Sequence, residues 1–433
     1  MPVLSPQDVG IILSYRCQSA CKHCLYNCGP GWEKDPMSNE TLLQALHAVT
    51  TWPRTPQVHF TGGEPFLHFG LLLEGARMAA QLGITSYVET SAQWCVDKGE
   101  AVERFQTLKN AGLQAVLISC SPFHAEKIPP VTTLEAVRAA REVFGSQGVI
   151  VYLPDFLRVV QAFDLDRPTA LSRYEEEFGV EGARRILWQG YSIISGGRSG
   201  YALGHIAPRY GAEEFAQADC AMDILYAHHS HLDLYGNYIS GFCGGLSVGD
   251  WHDLPQQLRD FSEGRYPPLV EILVERGPYG LLELARTSHG YRPLPDGYAG
   301  SVTSAWTCAG ISSRGRTSQN FAPQGSTPTS RPPLVPLPCQ RSPSALTVDA
   351  GAERRVLPAV RWALTHPIGC AILQHKGVGR CDHSGRAAPS SSPAEGWPTS
   401  PPRDLPDLGG LRRTQAKGLK DEPKEAPHGK QHP

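Results

Sequence analysis

The stretch DVGIILSYRCQSACKHC, residues 8–24, joins a strand-like segment to a cluster of thiols. The segment Asp8 to Ser14 is rich in β-branched side chains, which favours a buried strand that leads into a functional loop. Cys17, Cys21 and Cys24 follow with C-x3-C-x2-C spacing, close enough to converge on one soft metal centre. Structural zinc and all-cysteine clusters normally use four ligands. Three thiolates therefore indicate a 4Fe-4S cluster in which one iron stays open to a reactant.

Strand-like and helical segments alternate along the chain after this stretch. Ser38 is a plausible N-cap of a first helix, and a second strand covers Gln57 to Phe60. Further strands are predicted at 86–90, 115–119 and 149–153, and a sixth at Ile186 to Ile194. The alternation favours an α/β fold with a parallel sheet, open or closed into a partial or complete barrel.

Polar residues cluster directly after the predicted strands. In parallel sheets the ligands bind at the carboxyl ends of the strands, where side chains from several strands meet. The residues expected to face one pocket there are His23, Glu64, Ser91, Ser121 and His124.

A second motif, Thr61-Gly62-Gly63-Glu64-Pro65, follows the second strand. Its glycines let the main chain approach a ligand closely, and its carboxylate can accept hydrogen bonds from an ammonium group. Alone, such a segment is equally typical of a strand-to-helix turn with a solvated glutamate. Its position on the strand after the cysteine loop favours a binding role.

Together the two motifs resemble those of the radical S-adenosylmethionine (SAM) superfamily. The resemblance implies a partial (β/α)6 barrel of the radical SAM type, placed here at residues 1–212. It implies that Cys17, Cys21 and Cys24 hold a 4Fe-4S cluster whose fourth iron is chelated by SAM. Reductive cleavage of SAM would give a 5′-deoxyadenosyl radical that abstracts hydrogen from a substrate, with a peptide or protein favoured.

The same resemblance assigns the SAM contacts nearest the cluster. Gly62, Gly63 and Glu64 match the GGE motif that contacts the SAM amino group. His23 stands before the third cysteine, where the family often carries an aromatic residue, and would lie beside the cluster or the adenine.

Three further residues have two interpretations each. Ser91 ends the third strand, where the family binds the SAM ribose or carboxylate, but it could equally be a cap. Arg198, in a Gly-Gly-Arg-Ser segment, would orient the SAM carboxylate or form a structural ion pair. His124 would donate or relay a proton near the radical, or is a structural or surface histidine.

Other metal centres fit the same cysteines. Cys28 or His23 could complete a zinc site, because C-x2-C-x3-C spacing is also present from Cys21 to Cys28. We expect Cys28 to be a packed thiol outside the cluster. The alternatives to a radical SAM enzyme are therefore an iron-sulfur sensor or electron carrier and a zinc-stabilised binding protein.

The alternation stops near residue 212, and a smaller domain is predicted at 213–300. His231 to Cys243 reads as a hairpin with its turn at residues 235–237. Cys220 and Cys243 resemble the start of the C-terminal extension that holds an auxiliary cluster in peptide-modifying radical SAM enzymes. About four thiolates are needed there, and Cys308 is the next candidate, so a ligand is missing.

Residues 301–433 form a tail rich in Pro, Ser and Arg. From residue 309 onward it carries 17 Lys and Arg against 9 Asp and Glu, whereas the preceding part carries 23 against 33. This change of composition predicts a segment that is disordered or replaced by a reading-frame shift. A basic tail that binds nucleic acid is disfavoured, because its charges form no compact patch.

No apolar run is long enough to cross a membrane and no signal peptide begins the chain, so a cytoplasmic enzyme is expected. In that reducing compartment the 12 cysteines favour metal binding, catalysis or burial over disulfides. The radical SAM resemblance adds a one-electron reductant of the ferredoxin or flavodoxin type as partner.

Overall fold

The computed structural model describes residues 6–300, except 161, 162, 191, 192, 219, 242, 244 and 245. The predicted tail at 301–433, including Cys308, lies outside the described residues.

The strands form one sheet, and most of its neighbouring pairs are parallel. The strands are β1 (Asp8–Ser14), β2 (Gln57–Gly62), β3 (Ser86–Thr90), β4 (Ala115–Ser119), β5 (Val149–Tyr152), β6 (His229–Asp233), β7 (Asn237–Ser240) and β8 (Gly249–Asp250). Their order across the sheet is β5-β4-β3-β2-β1-β6-β7-β8. The pairs from β5 to β6 are parallel, whereas β6–β7 and β7–β8 are antiparallel.

Helices connect the parallel strands and continue after the sheet. They are α1 (Asn39–Thr50), α2 (Phe69–Gln81), α3 (Lys98–Asn110), α4 (Pro122–Ala125), α5 (Pro130–Phe144), α6 (Pro154–Val160), α7 (Ser172–Arg184), α8 (Ser199–Ala202), α9 (Cys220–Leu225), α10 (Leu254–Ser262) and α11 (Pro268–His289). A single glycine with non-helical backbone interrupts each of α7 and α11, at Gly179 and Gly277. The predicted α/β class with a parallel sheet is confirmed.

Local sequence explains why the helices begin where they do and which face they bury. Ser38 caps α1 as predicted, since its hydroxyl accepts a hydrogen bond from the Thr41 N–H at 3.0 Å. Leu42 and Leu46 of α1 lie on one helical face, and both are fully buried in the main core. Val9 in β1 packs into the same core, because alternate residues of a strand point to the same face.

The prediction of a sixth strand at Ile186 to Ile194 is wrong. Arg185–Gln189 is a π-helix that continues from α7. Ile186 and Trp188 are buried in this helical form. A short apolar run is compatible with either a strand or a buried helix segment, so the apolar composition of this run could not distinguish the two.

The chain after residue 212 adds to the existing sheet. β6 pairs in parallel with β1 on the edge opposite β2, and β7 returns antiparallel to β6. The turn joins them at Leu234 to Gly236, close to the predicted position, and Gly236 there has φ of 91°. The boundary at residue 212 stays a prediction.

Among the described residues, no helix is both long and apolar enough to span a membrane.

Two glycines of α2 give a matched test of the packing of this helix on the sheet. A Cβ at Gly75 would lie 2.8 Å from Phe60 Cε1, whereas one at Gly70 would meet nothing within 4 Å. Overpacking costs about 1–3 kcal/mol and helix propensity returns at most about 1 kcal/mol. We expect urea unfolding to show Gly75→Ala destabilised by about 1–2 kcal/mol and Gly70→Ala unchanged or stabilised. Equal stabilities of the two variants would contradict the packing described.

Candidate cluster and cofactor site

The cysteine loop begins directly after β1 and folds back on itself. The Cys17 N–H donates to the Gly29 carbonyl at 3.2 Å, and the Gly29 N–H donates to the Tyr15 carbonyl at 3.1 Å. Within the loop, the Cys24 N–H donates to the Cys21 carbonyl at 3.1 Å. These bonds gather the three predicted ligands into one closed turn.

The sulfur atoms of the loop accept main-chain hydrogen bonds. Cys17 Sγ accepts from the Ser19 N–H at 3.4 Å, and Cys24 Sγ accepts from the Cys28 N–H at 3.3 Å. Each bond favours the thiolate over the thiol, and a thiolate is the form that binds a metal.

The thiols of the loop differ in their acidity. Burial raises the pKa of Cys17 to about 11 and raises that of Cys21 further. The hydrogen bond from the Cys28 thiol lowers the pKa of Cys24 to about 6. The negative charge of each neighbouring thiolate also raises the pKa of Cys17 and Cys21. Metal binding must therefore displace protons from Cys17 and Cys21.

The donor set fits an iron-sulfur cluster better than a single zinc ion. One zinc ion needs ligands about 2.3 Å from a common point, whereas each thiolate of a 4Fe-4S cluster binds a different iron. Among the described residues, the three ligand residues close enough to share one ion are His59, His229 and His231, and no cysteine belongs to such a group. Cys28, the candidate fourth ligand for zinc, is engaged with the Cys24 sulfur. We infer that Cys17, Cys21 and Cys24 would hold a cluster with one open iron.

Arg198 binds the cysteine loop through its main-chain carbonyls. Its guanidinium donates to the carbonyls of Cys21 at 2.8 Å, Asn27 at 3.0 Å and Cys28 at 2.6 Å. The Arg198 N–H donates to the Cys24 carbonyl at 2.9 Å. These bonds occupy donors that the sequence interpretation assigned to the SAM carboxylate. The nearby positive charge lowers the pKa of Cys21 and Cys24, so Arg198 also favours their thiolates.

The glycines of the second motif pack against the start of the cysteine loop. The Gly63 N–H donates to the Ser14 carbonyl at 2.8 Å, and the Glu64 N–H donates to the Arg16 carbonyl at 3.0 Å. A Cβ at Gly63 would lie 1.9 Å from the Arg16 carbonyl oxygen. At Gly62, where φ is 121°, a Cβ would lie 2.4 Å from the Ser14 carbonyl oxygen. Both positions require glycine for this contact between the motifs.

The carboxylate of Glu64 is buried and fully hydrogen-bonded. Oε1 accepts from Thr90 Oγ1 at 2.8 Å and from the Phe66 N–H at 3.2 Å. Oε2 accepts from the Ser91 hydroxyl at 2.6 Å and from the Ser91 N–H at 3.0 Å. Four bonds use the four acceptor positions of a carboxylate. The contact of the SAM amino group with this motif stays a prediction.

Ser91 joins the end of β3 to the second motif through Glu64. Both its hydroxyl and its N–H donate to that carboxylate, which is a positioning role rather than the helix cap considered from sequence. Its hydroxyl oxygen can still accept a hydrogen bond, so a contact with SAM stays a prediction.

His23 and His124 lie side by side, as expected for strand-end residues that meet in one pocket. Their ring centroids are 4.8 Å apart in an edge contact, and His23 also stacks on Phe123 at 4.8 Å. His124 lies in α4, directly after β4, and Ser121 Oγ is 2.7 Å from its Nδ1. The structure thus brings the end of β4 to the cysteine loop, while the predicted roles of both histidines stay predictions.

Cys220 and Cys243 are brought near one another, as the auxiliary-site interpretation requires. Cys220 begins α9, Cys243 follows β7, and the Cys220 thiolate adds to the effect of burial, which raises the pKa of Cys243 to about 12. An auxiliary cluster at this pair stays a prediction.

Sequence reasoning missed several residues that position the site. Thr90 supports Glu64, and Gln93 Oε1 accepts from the Ser19 hydroxyl at 2.6 Å. Lys22 Nζ lies 2.8 Å from Glu126 Oε1 and so ties the cysteine loop to the end of α4. The signal available was position, because Thr90 is the last residue of β3 and Gln93 lies just after Ser91.

The α/β domain carries a three-thiol loop after its first strand, and a glycine turn from the next strand packs on that loop. Three thiols in one loop are the kind of donor set that holds an iron-sulfur cluster. Residues 11–158 match the family model described as the Radical SAM superfamily. These residues form a radical SAM domain, the domain of radical SAM enzymes, and the resemblance predicted from the two motifs is confirmed. The superfamily implies an iron-sulfur cluster and SAM as cofactors.

Known proteins resemble parts of the chain. The GTP 3′,8-cyclase of Streptomyces coelicolor is 28% identical over 150 residues, which cover 31% of this chain and 41% of that protein. The crystal structure of BtrN in complex with AdoMet and 2-DOIA is 12% identical, with coverage of 61% of this chain and 87% of that chain and a TM-score of 0.31. Native anSMEcpe with bound AdoMet is 15% identical, with coverage of 58% and 80% and a TM-score of 0.33.

Arg198 provides a test of the loop geometry. We expect Arg198→Gln to retain severalfold less iron than the unchanged protein during chelator challenge after anaerobic reconstitution, because three loop carbonyls lose their charged donor. Arg184→Gln, which removes a surface pair with Glu181, is the control and should retain iron normally. Equal retention by both variants would show that Arg198 does not hold the loop.

The charge state of His124 provides a second test. Burial lowers its pKa to about 4, so the imidazole should stay neutral when the pH falls from about 8 to about 5. Its 15N ring resonances, assigned by their loss in His124→Gln, should keep the neutral pattern over this range. Protonation with a midpoint near the usual 6.5 would contradict the burial described.

Proposed function

We propose that the protein is a radical SAM enzyme in which Cys17, Cys21 and Cys24 hold a 4Fe-4S cluster that cleaves SAM reductively. The observation that carries this proposal is the joining of the two motifs. The Gly62–Gly63 turn lies against the main chain of Ser14 and Arg16, so any ligand on the open iron would adjoin the second motif.

The cofactors would supply the radical chemistry, and the protein would supply its placement. The chemistry supplied by a bound, reduced cluster would be one-electron reduction of the SAM sulfonium, in which the S–C5′ bond breaks to give methionine and a 5′-deoxyadenosyl radical. Arg198 favours the thiolate form of Cys21 and Cys24 while fixing the loop. Glu64, held by Thr90 and Ser91, fixes the turn that follows β2. Cys17 and Cys21 are buried, which would limit the access of water to the reacting centre.

The substrate and partners are proposed at the level of class. Radical SAM enzymes generally need an electron donor, and we propose a ferredoxin-like or flavodoxin-like protein in the cytoplasm. A peptide or protein substrate is supported by the resemblance of the Cys220 to Cys243 segment to the extension of peptide-modifying members. The match to GTP 3′,8-cyclase covers 31% of this chain, so we do not transfer its substrate.

Cys21 gives the direct test of this function. The anaerobically reconstituted protein should bind about four iron ions per chain and, with dithionite and SAM, release 5′-deoxyadenosine. Cys21→Ala should lose cluster and product together, because an iron of the cluster loses its protein ligand. Cys95→Ala, which removes a buried thiol of the main core, should keep both. Iron by elemental analysis and 5′-deoxyadenosine by chromatography are the readouts.

The alternatives give different results in the same experiment. A bound cluster with no SAM cleavage would contradict the proposal and favour an iron-sulfur sensor or electron carrier. Stoichiometric zinc without iron would favour a zinc-stabilised binding protein. The variant Cys28→Ser distinguishes the cluster hypothesis from the zinc hypothesis further. Cys28 would be a ligand of zinc but not of the three-cysteine cluster.

A further inference from the structure

Three histidines meet on the sheet apart from the cysteine loop. His59 lies on β2, and His229 and His231 lie on β6. One ring nitrogen from each residue lies within 4.8 Å of the other two. His59 is fully buried, His231 is 4% exposed and His229 is half-buried, so two of the three rings lie in the protein interior.

The sheet register brings these rings together. Gly10 of β1 pairs with His59 on one side and with His231 on the other. A Cβ at Gly10 would lie 2.6 Å from both His59 Nε2 and His231 Nε2. The two Nε2 atoms therefore converge over Gly10, in space that only glycine leaves open.

The Nδ1 atoms of His59 and His231 lie close to oxygen atoms of neighbouring side chains. His59 Nδ1 lies 2.5 Å from Asp8 Oδ1, and Asp8 Oδ2 accepts from the Tyr87 hydroxyl at 2.7 Å. The Tyr26 hydroxyl lies nearest to His231 Nδ1, at 2.7 Å, and is 3.2 Å from His231 Nε2. Metal-bound histidines are usually oriented as His59 is here, with one nitrogen on an oxygen partner and the other on the metal.

The other ring nitrogen of His59, Nε2, differs from Nδ1 in its hydrogen bonding. His59 Nε2 is buried and makes no hydrogen bond. The nearest carboxylate is that of Glu89, with Oε1 at 3.8 Å, while its Oε2 accepts from the Thr61 hydroxyl at 2.8 Å. A buried polar atom without a partner destabilises the fold, and a ligand at this point would remove that cost.

Charge in the surroundings also suits a divalent cation. Asp8 and Glu89 place two carboxylates beside His59.

We propose that His59, His229 and His231 bind one divalent transition-metal ion, with zinc as the ion to test. Zinc bonds to imidazole are about 2.0–2.1 Å long, so the ligand nitrogens would close to roughly 3.4 Å from one another. Three protein ligands leave a fourth position for water or for an oxygen or nitrogen atom of a substrate. The ion would thus place a Lewis acid on the face of the sheet above Gly10, at a site separate from the three cysteines.

The test uses the full chain with its cysteine loop occupied. The anaerobically reconstituted protein is treated with a chelator that spares the cluster, supplied with one equivalent of Zn²⁺ at about pH 8, where an ordinary imidazole is neutral, and desalted. We expect about one retained zinc per chain, with nitrogen or oxygen neighbours at about 2.0–2.1 Å in its K-edge X-ray absorption. No retained zinc, or zinc with sulfur neighbours, would overturn the proposal.

Variants then locate the ion. His59→Gln and His231→Asn should each bind zinc at least tenfold more weakly, and Gly10→Ala should do so without removing a ligand. His252→Gln is the control, because His252 is an exposed histidine whose Nδ1 also lies 2.6 Å from a carboxylate oxygen, that of Asp250. Circular dichroism identifies any variant that fails to fold. Unchanged zinc binding in folded His59→Gln and His231→Asn, or equal loss in His252→Gln, would overturn the proposal.

Discussion

The close contact between the Gly62–Gly63 turn and the main chain of Ser14 and Arg16 determines how the site is built. No other residue type fits at Gly63, where a Cβ would lie 1.9 Å from a carbonyl oxygen. The contact joins the ends of β1 and β2, which are neighbours in the sheet. It thereby fixes the position of the cysteine loop, which follows β1, relative to the glycine turn at the end of β2.

Two charged side chains, the buried Glu64 and the half-buried Arg198, support this contact and the loop beside it. Glu64 accepts hydrogen bonds at all four of its acceptor positions, and Arg198 donates to three loop carbonyls. A buried charge is stable only when such partners are present. Both residues, which the sequence assigned to SAM, therefore also hold the turn and the cysteine loop in place.

Local patterns in the sequence were sufficient for the first part of the fold. The cysteine spacing, the Ser38 cap and the β1 and β2 strands were predicted because each depends on neighbouring residues. The apolar run at residues 186–194 was misread, because short buried helices and strands share the same composition. The pairing of β6 with β1, and hence the histidine group over Gly10, joins residues more than two hundred positions apart and had no local signal.

If Cys17, Cys21 and Cys24 hold the cluster, one of its irons stays open to SAM beside the glycine turn. Electron paramagnetic resonance of the dithionite-reduced protein, recorded with and without SAM, reports on that iron. We expect a cluster signal whose g values change when SAM is added, because SAM becomes a ligand of the open iron. An intact cluster signal that is identical with and without saturating SAM would show that no iron of the cluster binds SAM.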